Sequence, residues 1–294
     1  MDAMARVESE LDAILSMNVP LDGAPAAGPP GLANAVRYAV FPGGARIRPR
    51  LCLGVARACG DDQPAIADCA AAAIELLHCA SLVHDDMPCF DDAPLRRGKP
   101  SVHTAFGERL AVLAGDGLIA LAFEALGRAG DLAPRRALHL LSIMGRAIAG
   151  PEGIVAGQAW ECEPEIDLGE YQRAKTGALF AAATMAGAAA AGHDHRQWSG
   201  LGYRLGQAFQ VADDIRDVVA DVAELGKPIG QDAALGRPSA VARYGLDGAI
   251  AHLDQLVAEA VEVVPQCPGL TGIRALIAAE AAGLLPKKIA RRAA

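Results

Sequence analysis

The chain has 294 residues and a formal net charge of −8. Apolar residues make up 52% and aromatics only 4%, an Ala-rich balance that predicts an all-α protein with a sizeable core. The acidic charge, with no long basic stripe, excludes nucleic acid as the main partner, and seven cysteines without a C-x-x-C predict reduced thiols in a cytoplasmic protein.

A first helix is predicted over 2–18. Its acidic, amphipathic start does not read as a signal peptide. The Pro-, Gly- and Ala-rich stretch from Pro20 to Gly31 predicts a loop. A helix then runs to Val40 and breaks at Phe41-Pro42-Gly43-Gly44. The next covers Ile47 to Ala58. A long helix is predicted from Pro64, a first-turn proline, to Met87, disturbed by Pro88 and ended by Pro94. Further helices are predicted near 102–128, 134–149, 152–162, 168–191, 197–222, 239–263 and 270–283. No segment alternates with period two. No stretch reads as a membrane span, and the nearest, Gly177 to Ala191, is too short. One domain over 1–294 is expected.

Two acidic clusters lie about 130 residues apart. The first is Asp85-Asp86-Met87-Pro88-Cys89-Phe90-Asp91-Asp92, followed by Arg96-Arg97-Gly98-Lys99. The second is Asp213-Asp214-Ile215-Arg216-Asp217, followed by Lys227 and Arg237. Carboxylates at a helix C-terminus oppose the macrodipole, so the first cluster needs a cation or a function. Oxygen ligands without a nearby His or Cys pair favour Mg²⁺. The basic residues beside both clusters predict a diphosphate held by metal and Arg/Lys together. Leu77, Ala80, Ser81, His84 and Asp85 share one helical face, with small residues leading to the carboxylates. Gly206, Phe209, Gln210, Asp213 and Asp217 share another, a face suited to the wall of a polar-mouthed cavity; Asp214 sits about 100° away.

Other polar groups fit that picture less firmly. Lys175-Thr176 interrupts an apolar helix and is followed by Gly177, which permits a kink. Gly157-Gln158 reads as a packed helix contact. The turn Gly43-Gly44-Ala45-Arg46-Ile47-Arg48 opens a helix with two arginines, where anions rather than cations are favoured, and so predicts a phosphate site. The tail Lys287-Lys288-Ile289-Ala290-Arg291-Arg292 reads as a frayed basic terminus or a flap over an anion.

In combination these motifs resemble the trans-type short-chain polyprenyl diphosphate synthases, the farnesyl and geranylgeranyl diphosphate synthases. Asp85-Asp86-x-x-x-x-Asp91 with Leu95-Arg96-Arg97-Gly98-Lys99-Pro100 looks like the family's first Asp-rich motif. Phe209-Gln210-x-x-Asp213-Asp214-x-x-Asp217 looks like the second, and Gly226-Lys227 and Asp232 like the segment after it. The resemblance implies an isoprenoid synthase-type helical bundle around a deep central cavity, usually a homodimer. It implies that Asp85, Asp91 and Asp213 ligate Mg²⁺, with Asp86, Asp214 and Asp217 in support. Arg96, Lys175 and Lys227 would bind the allylic diphosphate, and Arg48, His78 and Arg97 isopentenyl diphosphate. Thr176 and Gln210 would face the allylic carbocation. The implied reaction ionises the allylic diphosphate and alkylates isopentenyl diphosphate.

Two departures stand out. The family's Gly-Gly-Lys-Arg turn reads Gly43-Gly44-Ala45-Arg46 here, which removes one cation expected on isopentenyl diphosphate and makes Arg46 its candidate substitute. Gly236-Arg237 replaces a common Gly-Lys and keeps the charge. Farnesyl-producing relatives often carry a bulky aromatic at the Ala80 position. Ala80, with Ser81 and Leu77 beside it, therefore predicts a deeper cavity and geranylgeranyl diphosphate (C20) as product, with farnesyl diphosphate (C15) as runner-up. A class I terpene cyclase or an idle synthase subunit is less consistent with two intact Asp clusters.

Overall fold

The computed structural model describes residues 2–18, 28–41, 43–219 and 239–283. The helices are α1 (Ala3–Asn18), α2 (Pro30–Val40), α3 (Ile47–Ala58), α4 (Pro64–Asp85), α5 (Val102–Phe106), α6 (Glu108–Leu132) and α7 (Pro134–Ala149). Then follow α8 (Ile154–Ala159), α9 (Leu168–Gln172), α10 (Ala178–Ala190), α11 (Ser199–Val219), α12 (Ala240–Glu262) and α13 (Leu270–Ala282). The all-α expectation holds.

Helix α4 is the axis of the bundle. It packs on α6, α3 and α10, with α1 and α2 closing further sides. Ala70, Ala71, Ala72 and Ala73 are fully buried, as are Ile74 and Leu76. Small side chains let neighbouring helices approach closely, while each buried Leu or Ile contributes roughly 1.5–3 kcal/mol. A smaller cluster around Ile215 and Leu253 joins α11 to α12.

The structure differs from the predicted elements where backbone geometry overrides propensity. The predicted helix 102–128 is split by Gly107, whose φ of 84° leaves the helical region. The predicted helix 152–162 ends in a 3₁₀ turn, Trp160–Cys162. The predicted helix 168–191 is interrupted by a π turn, Arg173–Gly177. One antiparallel pair, β1 (Leu95–Arg96) with β2 (Lys99–Pro100), was not expected. Its two-residue turn, Arg97-Gly98, has positive φ at both positions (55° and 76°), the geometry that matches strand twist. Arg97 is a poor local signal for that turn.

The stretches nearest to a membrane span are not Gly177 to Ala191, as expected, but α4 and α6. Both α4 and α6 are long and apolar enough by length and composition to cross a membrane. Burial within the bundle accounts for α4. Helix α6 instead exposes Val112 and Leu113.

Candidate active site

The first acidic motif is shaped by a turn at the end of α4. The Asp91 amide donates to the Asp85 carbonyl (3.0 Å), Asp92 to Met87 (3.1 Å) and Ala93 to Asp86 (3.2 Å). The chain thus doubles back after Pro88 and returns Asp91 to Asp85. A third carboxylate, Glu161, joins them from the 3₁₀ turn after α8. One ligand oxygen from each of Asp85, Asp91 and Glu161 lies within 4.8 Å of the others. An oxygen-only set of this size fits a hard divalent cation such as Mg²⁺. Glu161 was not anticipated. It falls at the end of the predicted helix 152–162, with no local pattern to mark it as part of a site.

Lys175 enters this cluster from the π turn. Its Nζ donates to Asp85 Oδ1 (3.0 Å) and to Glu161 Oε1. Glu161 also accepts from Tyr171 Oη (2.7 Å) and Gln158 Nε2 (3.2 Å). Burial works against the ammonium charge, but Asp85, Tyr171 and Glu161 outweigh it and hold its pKa above the usual lysine value. Close backbone approach makes this placement possible. A Cβ on Gly157 would lie 2.3 Å from the Lys175 amide nitrogen, so α8 can press on the π turn only with glycine there.

The π turn also reaches the second acidic motif. Thr176 Oγ1 donates to Gln210 Oε1 (3.0 Å), and Gln210 Nε2 donates to Asp214 Oδ1 (3.0 Å). Adjacent residues of the π turn thus serve the two motifs, Lys175 bonding to Asp85 and Thr176 leading through Gln210 to Asp214. Asp214 is 2% exposed, and its second oxygen accepts from the Ala240 amide (2.7 Å). It anchors the start of α12, where the helix dipole favours an anion. Asp217 is buried, and Asp213 is half-buried and paired with Arg216 (3.2 Å). Among the described residues Asp213 does not join the Asp85–Asp91–Glu161 cluster.

Asp86 and Arg96 form a bidentate pair behind the cluster. Arg96 Nε lies 2.9 and 3.2 Å from the two Asp86 oxygens, and its Nη2 also contacts Asp86. Burial pushes the Asp86 carboxyl up despite Arg96. Arg96 remains 3.6 Å from Asp85.

The turn after α2 corrects one expectation. Arg46 is not poised over an anion site. It is 2% exposed and donates to Glu75 (2.6 Å), Glu8 (2.8 Å) and the Val40 carbonyl (2.9 Å). Burial opposes its charge, and Glu8 and Glu75 more than restore it. Removing one partner of such a buried pair typically costs about 3–5 kcal/mol. Arg46 is thus held by the α1–α3–α4 packing and does not replace the lysine missing at Ala45.

Arg48 and Arg97 remain at that turn. Arg48 Nη1 lies 3.4 Å from His78 Nε2, and its guanidinium is 4.5 Å from the Phe180 ring centroid. Burial lowers its pKa to about 10, against the opposing pull of Glu75. An arriving anion would relieve that penalty. Burial and then Arg48 hold the His78 pKa well below 6.5, so its Nε2 stays neutral and able to accept. This depressed value has a sign. The unfolded imidazole takes a proton below about pH 6.5 and the native one does not, so stability present above that pH is lost as pH falls. The melting temperature should drop less between about pH 7.5 and about pH 5 in His78→Asn than in the wild type. Parallel pH profiles would remove His78 from this role.

Ala80 and Leu77 are each 1% exposed on α4, and Ser81 Oγ donates to the His78 carbonyl (2.8 Å). Lys227 and Arg237 lie outside the described residues, as do Gly226, Asp232 and the basic tail.

Comparison with known proteins agrees with this architecture. The sequence profile of the family described as Polyprenyl synthetase matches residues 29–268. The chain is 53% identical over 264 residues to a geranylgeranyl diphosphate synthase from Cereibacter sphaeroides, covering 90% of this chain and 92% of that one. It is 42% identical over 233 residues to a farnesyl diphosphate synthase from Geobacillus stearothermophilus, covering 76% and 78%. A crystal structure of a geranyltransferase from Helicobacter pylori, complexed with magnesium and isoprenyl diphosphate, superimposes with a TM-score of 0.78 at 30% identity, covering 95% of this chain and 97% of that one. The chain therefore belongs to the polyprenyl synthetase family of prenyl-transferring enzymes.

Proposed function

We propose that the chain is a geranylgeranyl diphosphate synthase. It condenses isopentenyl diphosphate head-to-tail with dimethylallyl, geranyl and farnesyl diphosphates, and its main product is C20. The observation that carries the reading is Lys175 seated between Asp85 and Glu161 within an oxygen-only cluster. A carboxylate nest with a fixed ammonium is a receptor for a diphosphate arriving with its metal. Asp85 and Asp91, with Asp213 from the second motif, would hold Mg²⁺, which when bound stabilises the charge on the departing diphosphate. Lys175 stabilises the same leaving group directly, and Arg96 keeps Asp86 in place behind it. Thr176 and Gln210 present oxygen dipoles toward the allylic fragment. Arg48, with neutral His78 behind it, and Arg97 bind isopentenyl diphosphate. Lys227 and Arg237, which lie outside the described residues, are further cations for the diphosphates, and Asp214 and Asp217 support the second motif.

Seven cysteines without a disulfide support a cytoplasmic setting. The apolar exposed face of α6 around Val112 and Leu113 supports a homodimer. Incubating the purified chain alone with radiolabelled isopentenyl diphosphate and farnesyl diphosphate tests the function. Mg²⁺-dependent labelled C20 diphosphate is the expected result. No elongation of either farnesyl or shorter allylic primers would overturn it.

A further inference from the structure

One aromatic ring on α11 is bracketed by two arginines. Arg48 Cζ lies 5.5 Å from the Phe209 ring centroid and Arg216 Cζ lies 5.4 Å from it. Neither guanidinium is fully satisfied. Arg48 is 8% exposed and its Nε has no hydrogen-bond partner. Arg216 Nη2 is buried without a hydrogen bond, although it lies 3.2 Å from Asp213 Oδ1. Its Nε donates to the Ala212 carbonyl of its own helix at 3.3 Å. A buried Arg48 and a half-buried Arg216, each with a nitrogen that is out of water and without a hydrogen bond, are costly around one ring unless an anion completes them.

Helix geometry explains why Arg216 faces this way. It follows Phe209 by seven residues, which returns it to nearly the same strip of α11, about 20° off. Asp213 sits about 60° round the helix from it. Arg216 therefore looks along the Phe209 strip that Arg48 faces, rather than into the Asp85–Asp91–Glu161 cluster.

The turn that leads into Arg48 supplies one cation fewer than the two basic positions of the resembling family's Gly-Gly-Lys-Arg. Ala45 carries no charge, and Arg46 is held by Glu8 and Glu75. Arg97 lies across the turn beside Ala45, since a Cβ on Gly44 would come 2.9 Å from its guanidinium. Arg97 also depresses the Arg48 pKa through space, after burial, so these charges sit near one another.

We infer that Arg216 binds the diphosphate of the homoallylic substrate, together with Arg48 and Arg97, and supplies the cation that Ala45 lacks. This rests on the synthase reading above. The Arg216–Asp213 ion pair adds an order to binding. Were Asp213 to hold Mg²⁺, its carboxylate would be shared with Arg216, and Arg216 would then be freer to turn to the second diphosphate.

The test uses the full chain and four variants: Arg216→Leu, Arg216→Lys, Ala45→Lys, and Ala45→Lys combined with Arg216→Leu. Melting curves first establish that each is folded. Calorimetry then measures isopentenyl diphosphate binding with Mg²⁺ and inorganic diphosphate present and absent, and initial rates provide the KM of each substrate. Arg216→Leu should raise the Kd and KM for isopentenyl diphosphate about tenfold, roughly 1.4 kcal/mol, and leave the allylic KM within about twofold. It should also abolish the tightening of isopentenyl diphosphate binding by Mg²⁺-diphosphate. Arg216→Lys should retain most of the affinity. Ala45→Lys should tighten binding more in the Arg216→Leu background than in the wild type, a coupling that a double-mutant cycle isolates. An equal rise in both KM values would make Arg216 only a support for Asp213 and would overturn the inference. Unchanged isopentenyl diphosphate affinity in Arg216→Leu, or no rescue by Ala45→Lys, would overturn it too. A wild-type chain that elongates no primer refutes the synthase reading instead, and so separates the two failures.

Discussion

Asp85→Ala should lower turnover by at least about a thousandfold, because a metal site of this kind supplies several kcal/mol of charge stabilisation and about 1.36 kcal/mol corresponds to tenfold in rate. Asp85 has two jobs in the structure. One oxygen accepts from Lys175 at 3.0 Å, and its carboxylate is one of three that converge within 4.8 Å. Alanine removes one of the proposed metal ligands and leaves Lys175 with Glu161 as its remaining carboxylate partner. The fold should survive. Asp86 and Arg96 still close the turn, and removing one of several like charges relieves repulsion in the metal-free protein. Product formation at saturating Mg²⁺ and thermal melting of the same preparation measure both halves. Near-normal turnover in the folded variant would show that this cluster is not where the diphosphate is activated. Asp213→Ala should follow the same pattern and additionally release Arg216 from its ion pair.

Ala80→Tyr should shorten the main product from C20 to C15 and leave turnover in place. Ala80 lies on α4 five residues before Asp85 and is 1% exposed. The adjacent Leu77 is equally buried. A phenol at position 80 must therefore take interior space. If that space is the bed of the growing chain, one five-carbon unit no longer fits. If it is packed core, overpacking costs about 1–3 kcal/mol and shows as a lower melting temperature with the product unchanged. Chromatography of the dephosphorylated products from both proteins distinguishes these results. A wild type that stops at C15, or a folded Tyr variant that still makes C20, would remove Ala80 as the gauge of length. The outcome also separates the two kinds of relative, geranylgeranyl and farnesyl diphosphate synthases, to which the chain is similar.

Much of the molecule follows from local sequence because helices are local. The run from Pro64 to Asp85 is predominantly apolar, contains Ala70 to Ala73 and begins with proline, so it reads as a buried helix. The acidic motifs were legible for the same reason. Charges packed this densely at a helix end announce a cation, whatever the rest of the chain does. The breaks were less legible. Gly107 splits a predicted helix, and Lys175 lies in a π turn rather than a regular one. Such features depend on what presses against the backbone, as Gly157 does on the Lys175 amide.

Partner choice was decided only by the tertiary structure. Arg46 and Arg48 are two residues apart in one basic turn, and their sequence contexts look alike. Packing sends Arg46 to Glu8 and Glu75, and Arg48 to His78, Phe180 and Phe209. Glu161 has no local mark at the end of the predicted helix 152–162, and the 3₁₀ turn after α8 brings it to Asp85 and Asp91. Asp213 and Asp214 are adjacent, yet one holds Arg216 while the other is buried at the start of α12. Helix spacing assigns a side chain to a face, and sequence alone can do that much. Which charge that face meets is a long-range property of the packed bundle, and in a low-dielectric interior it decides whether an arginine is a structural tie or a receptor for an anion.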